Sequence, residues 1–383
     1  MTVSLGAVAL LAACGEEDGT AVGPSSSSAT TATTTSSTGN GGADGGGGQG
    51  GENAGGSGGE GGGCDLNTIP VTETAPPLLS QTGLYDDILT KTVSPVARAY
   101  QPQYPLWSDD AEKERWLYLP ECDPQIDNTD EDEWVFPVGT RAWKQFSLGG
   151  VLLETRLIHR FGPGPRDFLY ATYHWRLDGA DADLQPTSEL NVNGTTHDIP
   201  GPTSCTRCHG DQPAKGGLPS RYLGASAVQL SHTGPGLTMA SLSTDGSLTV
   251  PSPAGYTLPG DATAQTALGY FHSNCGNCHN DSSDGLFFPF IDMRMKTTDA
   301  TVESSGLYTS LVNQAPSFFT GKGCAYLIHG GDPLDSCVHL RMTIRAPAVD
   351  MLSQDQMPPI GTYAVDGAGL SAAEAWINTL PSP

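Results

Sequence analysis

The chain has few cationic side chains. Lys and Arg number 18 against 42 Asp and Glu, and the formal net charge at pH 7 is −24. This balance argues against nucleic acid as a partner and against attraction to anionic membrane surfaces. An acidic stretch runs from Asp109 to Glu133, but it lacks the spacing and the turn glycine of an EF-hand, which argues against a calcium loop. The charge otherwise predicts only a solvated acidic surface.

The N-terminus has no apolar run long enough to cross a bilayer. Its first fourteen residues, "MTVSLGAVALLAAC", end in Leu-Ala-Ala-Cys. This resembles the lipobox of a bacterial lipoprotein signal, in which Cys14 becomes the lipidated first residue. No Lys or Arg precedes the apolar run, and an ordinary signal peptide is the alternative. Both readings imply export. The lipobox implies a cell-envelope lipoprotein, at the outer membrane facing the periplasm or the surface, held by its lipid anchor only.

Residues 15–63 form a Gly/Ser/Thr-rich tract that lacks the apolar side chains needed for a core. A flexible linker of about 45 residues has a root-mean-square span of roughly 35–40 Å. The composition therefore predicts a disordered tether between Cys14 and a folded body.

Residues 64–200 show a strand-like pattern. Four runs rich in aromatic and aliphatic residues, "EWVFPVGT", "RAWKQFSL", "VLLETRLIHR" and "DFLYATYHWRL", are separated by Gly or Pro breaks. They predict an all-β sandwich or barrel-like domain, preceded by a helical element at "YDDILT". Tryptophans in this region could line a ligand pocket, but core packing is the favoured interpretation: Trp107, Trp116, Trp134, Trp143 and Trp175.

The pattern changes to short helices and Gly/Pro loops after residue 200. We expect helices over "ATAQTALGYF" and "LSAAEAWINTL", the latter beginning at a capping box formed by Ser371 and Glu374. The chain is thus predicted to be multidomain, with an all-β domain followed by a mainly α region. The predicted segments are a signal peptide (1–14), a linker (15–63), a β-rich domain (64–200) and two mainly α segments (201–260 and 261–383).

Two C-x-x-C-H pentapeptides carry the strongest chemical signal. They are "CTRCH" at 205–209 and "CGNCH" at 275–279, and two copies are not expected by chance with nine Cys and nine His. Cysteines at i and i+3 can form thioethers with the two vinyl groups of a porphyrin, and the next histidine then lies beneath the iron. The motifs predict two covalently attached haem c groups. The attachment and proximal-ligand residues are Cys205, Cys208, His209, Cys275, Cys278 and His279.

Zinc and a redox disulfide are the alternatives for a C-x-x-C pair. Cys205 and Cys275 are 70 residues apart, whereas the two pairs of a zinc ribbon are separated by about 15 to 20 residues. A thioredoxin-like disulfide requires a βαβ context, which the pattern lacks. Neither chemistry requires a histidine directly after both pairs, so haem is favoured.

The region from Asp261 to Leu380 resembles a class I cytochrome c domain. Phe271 precedes the second motif by four residues, and "LSAAEAWINTL" supplies a closing helix. Domains of this kind place the sixth iron ligand late, in a Met-Pro turn. The resemblance therefore implies Met357 in "QMPPIGT" as the axial ligand, with Met342 as its main competitor. A thioether ligand raises the reduction potential relative to a second histidine.

The sixth ligand of the first haem stays open. The candidates along the chain are His197, His232, Met239 and His272. If none of them coordinates, the first iron is five-coordinate and could bind or activate a small molecule. This question separates an electron carrier from an enzyme.

Four cysteines remain after lipidation and haem attachment. Cys324 and Cys337 flank one loop, so their pairing is the economical choice, and it leaves Cys64 to pair with Cys122. Disulfides are consistent with an oxidising compartment, as is haem c attachment.

Several longer segments resemble a family of dihaem c-type cytochromes of Gram-negative bacteria. They are "YPLWSDDAEKERWLYLP", "FPVGTRAWKQF", "ETRL", "CTRCH", "FHSNCGNCHN" and "MPPIGT", and together they cover roughly residues 78–380. The resemblance implies a β-rich domain followed by haem-bearing segments, and a role in electron transfer. It implies no substrate.

We therefore expect an exported dihaem cytochrome that carries electrons between redox partner proteins, rather than a self-contained enzyme. Its acidic surface would dock a basic patch through a weak, transient interface. One alternative is an oxidoreductase or peroxidase with an open first haem. Another is a β domain that binds a ligand while the haems relay electrons. The sequence contains no indication of oligomeric state.

Overall fold

An antiparallel sheet organises the first half of the folded chain in the computed structural model, which describes residues 72–121, 123–209, 221–281, 291–317, 319–345, 355–359 and 361–383. The sheet has six strands, and a separate pair of strands precedes it. The strands are β1 (Tyr85–Asp87), β2 (Thr92–Val93), β3 (Arg98–Ala99), β4 (Glu112–Tyr118), β5 (Arg141–Leu148), β6 (Val151–Arg160), β7 (Phe168–Trp175) and β8 (Ala182–Leu184).

The sheet is open, so the barrel alternative is wrong. Its spatial order is β3-β4-β5-β6-β7-β8, and within the described residues the two outer strands do not pair with each other. These strands are only two and three residues long, too short to form a closing ladder. β8 is covered by the segment before β1, because Leu184 N donates to Pro77 O at 2.9 Å. The coarser prediction is confirmed, since an antiparallel sheet comes first and helices follow.

The local strand predictions are confirmed at the centre of the sheet and wrong at its margins. β5 and β6 coincide with two of the predicted runs, and β7 lies within a third. "EWVFPVGT" forms only an isolated bridge between Val135 and Asp127. The helix expected at "YDDILT" is also wrong, because β1 ends there in a turn. The Asp87 carboxylate accepts from Leu89 N at 2.9 Å and turns the chain towards β2.

Both faces of the sheet are covered, which explains its imperfect polar–apolar alternation. Trp143 and Phe146 lie three positions apart on β5 and so point to opposite faces, and both are fully buried. One face packs with Leu84 and Tyr85 of the leading segment. The other face packs beneath the segment around Tyr222 and Leu237. The buried tryptophans of the sheet region belong to these cores, as core packing requires: Trp116, Trp134, Trp143 and Trp175.

Six helices follow among the described residues: α1 (Pro202–His209), α2 (Met239–Thr244), α3 (Ala262–Asn274), α4 (Gly306–Leu311), α5 (Cys337–Thr343) and α6 (Gly367–Ile377). The two predicted helices are confirmed as α3 and α6. The predicted start of α6 at Ser371 is wrong, because Asp366 caps the helix one turn earlier. Its carboxylate accepts from Ala368 N at 3.1 Å and Gly369 N at 2.9 Å.

α3 and α6 pack against each other and form the centre of the helical core. Phe271 of α3 meets Trp376 of α6 edge to face, with ring centroids 6.1 Å apart. Gly369 admits the Tyr270 ring, since a Cβ there would lie 2.1 Å from Tyr270 Cε2. A disulfide joins Cys324 to Cys337 at the start of α5. Among the described residues, no helix combines the length and apolarity needed to cross a bilayer.

Candidate functional site

The two C-x-x-C-H motifs lie side by side. The Cys278 thiol is hydrogen-bonded to Cys208. Arg221 contacts both motifs: its backbone carbonyl accepts from the His209 ring at 2.9 Å, and its Nη2 donates to Asn277 O at 3.2 Å. Tertiary packing has therefore brought together two motifs that are 70 residues apart in sequence.

The first motif occupies α1, which lies against β7. Since the Arg221 carbonyl can only accept, His209 Nδ1 carries the proton and Nε2 keeps its lone pair. Burial, with repulsion from Lys144 and Arg156, lowers the pKa of His209 to about 4, so its ring is neutral at pH 7. The ring also packs on Tyr170, with centroids 5.5 Å apart. A neutral imidazole held at Nδ1 is the state that ligates a metal through Nε2.

The second motif directly follows α3 and turns tightly against the segment at 293–295. Met293 N donates to the backbone carbonyl of His279 at 2.9 Å. Position 276 must be glycine, because a Cβ there would lie 2.9 Å from Arg294 Cα and 3.0 Å from Met293 O. Burial and the nearby Arg341 lower the pKa of His279 to about 4, which also leaves this imidazole neutral.

The motif cysteines are held as thiols. Burial raises the pKa of Cys275 to about 12, and burial also raises that of Cys205. None of the four motif cysteines forms a disulfide with a described residue. Within the described ranges, no three His, Cys, Asp or Glu side chains are grouped closely enough to hold a metal ion. The arrangement thus differs from a four-cysteine zinc site, in which thiolates converge on one point.

Charged groups of the sheet face the first motif. Arg156 on β6 interacts electrostatically with Cys205 and Cys208. Arg156 also binds Glu154, with Nε 2.8 Å from Oε2. Neither Arg156 nor Lys144 is among the site residues predicted from the sequence. The face shared by Ala142, Lys144 and Phe146 was readable from the period-two pattern, but what that face meets depends on tertiary packing.

Met357 lies in a segment that is hydrogen-bonded to α5, whereas its competitor Met342 is a core residue. Met357 is half-buried, and its N–H donates to Arg341 O on α5 at 3.0 Å. Arg341 is also the charged neighbour of His279. Met342, by contrast, is buried in the helical core.

Each candidate sixth ligand of the first motif already has structural contacts. His232 uses both ring nitrogens, donating to Gln101 O at 2.6 Å and accepting from Gly234 N at 2.9 Å. Met239 is fully buried in the core below the sheet. His197 Nε2 binds Glu154 Oε1 at 2.7 Å. His272 Nδ1 accepts from Met295 N at 3.1 Å, and burial lowers the pKa of His272 to about 3.

Three predicted modification sites, Cys14, Cys64 and Cys122, lie outside the described residues. No family model, no curated protein and no solved structure matches this chain. The resemblance to dihaem cytochromes therefore stays a prediction, and the functional argument depends on the site itself.

Proposed function

We propose that the protein is a dihaem c-type cytochrome that transfers electrons in the cell envelope. The observation that carries the proposal is the meeting of the two C-x-x-C-H motifs at Cys208 and Cys278. Electron transfer between two carriers requires them to be close, and the packing places the two motifs next to each other. Haem c would supply reversible one-electron chemistry at each motif.

The residues present are chemically suited to haem c. His209 keeps Nε2 for an iron because Nδ1 donates to the Arg221 carbonyl. Thioether formation adds an S–H across a vinyl group, so it consumes a thiol at each attachment point, and the motif cysteines are thiols. Cys205, Cys208 and His209 are only half-buried, although each belongs to a packed helix.

A cytochrome c-like arrangement of residues 261–383 is part of the proposal. It is supported by the edge-to-face contact of Phe271 with Trp376 and by the motif at the end of α3. We assign Met357 as the sixth ligand of the second haem, because its backbone is tied to α5 beside His279. In the sheet region, the finer proposal is an unequal sandwich in which the β1–β2 pair covers one face.

The cellular setting follows from the sequence. Lipidation at Cys14 and the linker to residue 63 would tether the body to the outer membrane, facing the periplasm or the surface. The partners would be redox proteins with basic docking patches, attracted by a net charge of −24. Such an interface would weaken as the salt concentration rises.

A second candidate function is an oxidoreductase or peroxidase with an open first haem. It is favoured by the contacts of three histidines. His232 has both ring nitrogens engaged, His197 binds Glu154 through Nε2, and His272 accepts at Nδ1, so its neutral ring carries the proton on Nε2. An iron without a sixth protein ligand could bind a small molecule. The second haem would then supply its electrons.

Haem content tests the proposal directly. A pyridine haemochrome assay should give two haems per chain. Cys205→Ala/Cys208→Ala and Cys275→Ala/Cys278→Ala should each retain one haem. As a matched control, Cys324→Ala/Cys337→Ala removes a cysteine pair outside both motifs and should retain two. A wild-type chain that contains no haem, or that carries a Cys208–Cys278 disulfide in mass spectra, would contradict the proposal.

Spectroscopy distinguishes the carrier from the enzyme. Electron paramagnetic resonance of the oxidised protein should show two low-spin ferric signals for a carrier, and one high-spin signal for an open first haem. Met357→Ala should abolish the ferric methionine–iron charge-transfer band, whereas Met342→Leu should preserve it. Persistence of the band in Met357→Ala would remove Met357 as a ligand.

A further inference from the structure

Four cations converge on the sheet face that looks towards the first motif. Arg115, Lys144 and Arg156 are directly opposite one another across β4, β5 and β6. Lys113 precedes Arg115 by two residues and so shares its face. Directly opposed side chains have Cβ atoms about 5 Å apart, and like charges in that position repel. The chain has only 18 cations in all, so this concentration needs a compensating interaction.

The protein compensates only part of this charge. On the same face, Glu154 binds Arg156 and is shared with His197. Asp109 and Asp110 attract Lys113 at one end of the cluster. Asp109 is itself occupied, since it accepts from Tyr363 N at 2.9 Å. Positive charge therefore remains in excess at Arg115 and Lys144.

Arg115 and Lys144 have no acceptor for their side-chain donors among the described residues. The Arg115 side chain is buried, with the residue only 7% exposed. Lys144 Nζ lies over the Phe146 ring, 4.8 Å from its centroid. Partly buried cations without a protein acceptor keep their donors available to water or to a ligand.

The cations of the cluster also disfavour the charged form of the two lysines. Burial, followed by repulsion from Arg115 and Arg156, lowers the pKa of Lys113 to about 8. Burial and the same neighbours lower the pKa of Lys144 well below its usual value. An anion placed among them would reverse these effects and restore full charge on both lysines.

The cluster opens towards the first motif and not only into the sheet. Arg156 retains 30% of its side-chain accessible surface and interacts with the two cysteines of that motif. Lys144 is half-buried and acts electrostatically on His209. A ligand at these cations would therefore adjoin whatever occupies the motif.

We infer that Lys113, Arg115, Lys144 and Arg156 form a carboxylate-binding site on the sheet, next to the first C-x-x-C-H motif. Planar guanidinium groups bind carboxylates in bidentate fashion, and ammonium groups add point charge. Two sources have this chemistry: the propionates of a haem attached at the first motif, or a soluble carboxylate. The first source rests on the proposed function, whereas the second does not.

The test compares Arg115→Gln and Lys144→Gln with wild type and with Arg176→Gln. Arg176 is the matched control, because it is an exposed cation just after β7 that pairs with Asp183. Each protein is assayed for haem by pyridine haemochrome, for midpoint potentials by spectroelectrochemical titration, and for succinate binding by calorimetry. If Arg115→Gln fails to fold, the partly accessible Lys144 carries the comparison.

If the ligands are haem propionates, one of the two midpoint potentials shifts to more negative values in Arg115→Gln and Lys144→Gln, because a nearby cation favours the reduced haem. Arg176→Gln then matches wild type, and succinate does not bind. If the ligand is soluble, succinate binds wild type and Arg176→Gln but binds the other two variants at least about tenfold more weakly.

Unchanged potentials in both cluster variants, with no succinate binding to any protein, would overturn the inference. Haem content keeps the two proposals apart. A wild-type chain without haem contradicts the proposed function, and succinate binding alone then decides the carboxylate site. A chain with two haems supports the proposed function, whether or not the cluster variants change the midpoint potentials or succinate binding.

Discussion

At the residue scale, the sheet contains a histidine that folding keeps neutral. His159 on β6 is 1% exposed, and its Nδ1 accepts from Arg141 Nε at 3.3 Å. Its Nε2 has no hydrogen-bond partner among the described residues. Burial, with repulsion from Arg141, lowers the pKa of His159 to about 4. Protonation of this side chain is therefore coupled to unfolding.

We expect His159→Gln to reduce the loss of stability in acid. Between pH 6.5 and pH 4 the unfolded chain binds a proton at His159 that the folded chain does not, so the free energy of unfolding falls as the pH falls. This residue alone lowers the free energy of unfolding by roughly 2 to 4 kcal/mol as the pH falls from 6.5 to 4. Above pH 6.5 it causes no further change with pH. Glutamine cannot be protonated, and its amide oxygen can still accept from Arg141.

Urea unfolding at pH 7.5 and pH 4.5 measures this difference. The difference between wild type and His159→Gln should be smaller at pH 4.5 than at pH 7.5, by an amount of this order. Other buried histidines, including His272, are present in both proteins and cancel in the comparison. An equal difference at the two pH values would show that His159 is protonated in the folded protein too.

At the element scale, α3 and α6 each contain a glycine that admits a tyrosine ring: Tyr104 at Gly269, and Tyr270 of α3 at Gly369. A Cβ at Gly269 would lie 2.1 Å from Tyr104 Cδ1, and one at Gly369 would lie 2.1 Å from Tyr270 Cε2. Alanine normally stabilises a helix by about 1 kcal/mol relative to glycine. At these two positions the clash with the neighbouring ring determines whether alanine stabilises or destabilises the protein.

We expect Gly369→Ala to destabilise the protein by about 1 to 3 kcal/mol, because the Tyr270 ring must move out of a packed interface. Gly367→Ala in the same helix is the control, since a Cβ there meets nothing within 4 Å. It should leave stability unchanged or raise it by up to about 1 kcal/mol. Thermal unfolding of both variants compares them, and equal melting temperatures would mean that the ring yields without cost.

At the scale of the whole molecule, the acidic stretch at residues 109–133 links the sheet region to the helical region through hydrogen bonds and an ion pair. Arg294 donates to Glu133 Oε1 and to the Asp132 carbonyl. The Asp132 carboxylate in turn accepts from Thr297 N at 2.9 Å. Asp132 and Glu133 of the acidic stretch are thus bound by residues that follow the second motif.

Arg294→Gln should destabilise the protein by about 1 to 3 kcal/mol, because it leaves the Asp132 carbonyl and Glu133 without their cation. Lys296→Gln is the matched control two residues away. Its pair with Asp281 is more exposed, at 36% and 51% against 10% and 35%, so its loss should cost about 0 to 1 kcal/mol. Urea unfolding measures both variants, and a smaller effect for Arg294→Gln than for Lys296→Gln would contradict this link.

Features that depend on local chemistry and periodicity could be predicted from the residues alone. The two C-x-x-C-H motifs are complete within five residues each, so their chemistry needs no tertiary information. β5 and β6 were found at their true limits because each is rich in aromatic or aliphatic residues and lies between glycine-containing breaks. α3 and α6 were found from their apolar spacing, although the start of α6 depended on Asp366 rather than on Ser371.

The contacts that these elements make depend on tertiary packing and could not be predicted from the sequence. The approach of Cys208 to Cys278 joins segments that have no local signal for each other. The convergence of Arg115, Lys144 and Arg156 depends on the register of three strands, and a slip of one residue would send each side chain to the opposite face. The open sheet depends on the shortness of its outer strands. Contacts between distant segments follow from the packing of whole surfaces, which no short stretch of sequence encodes.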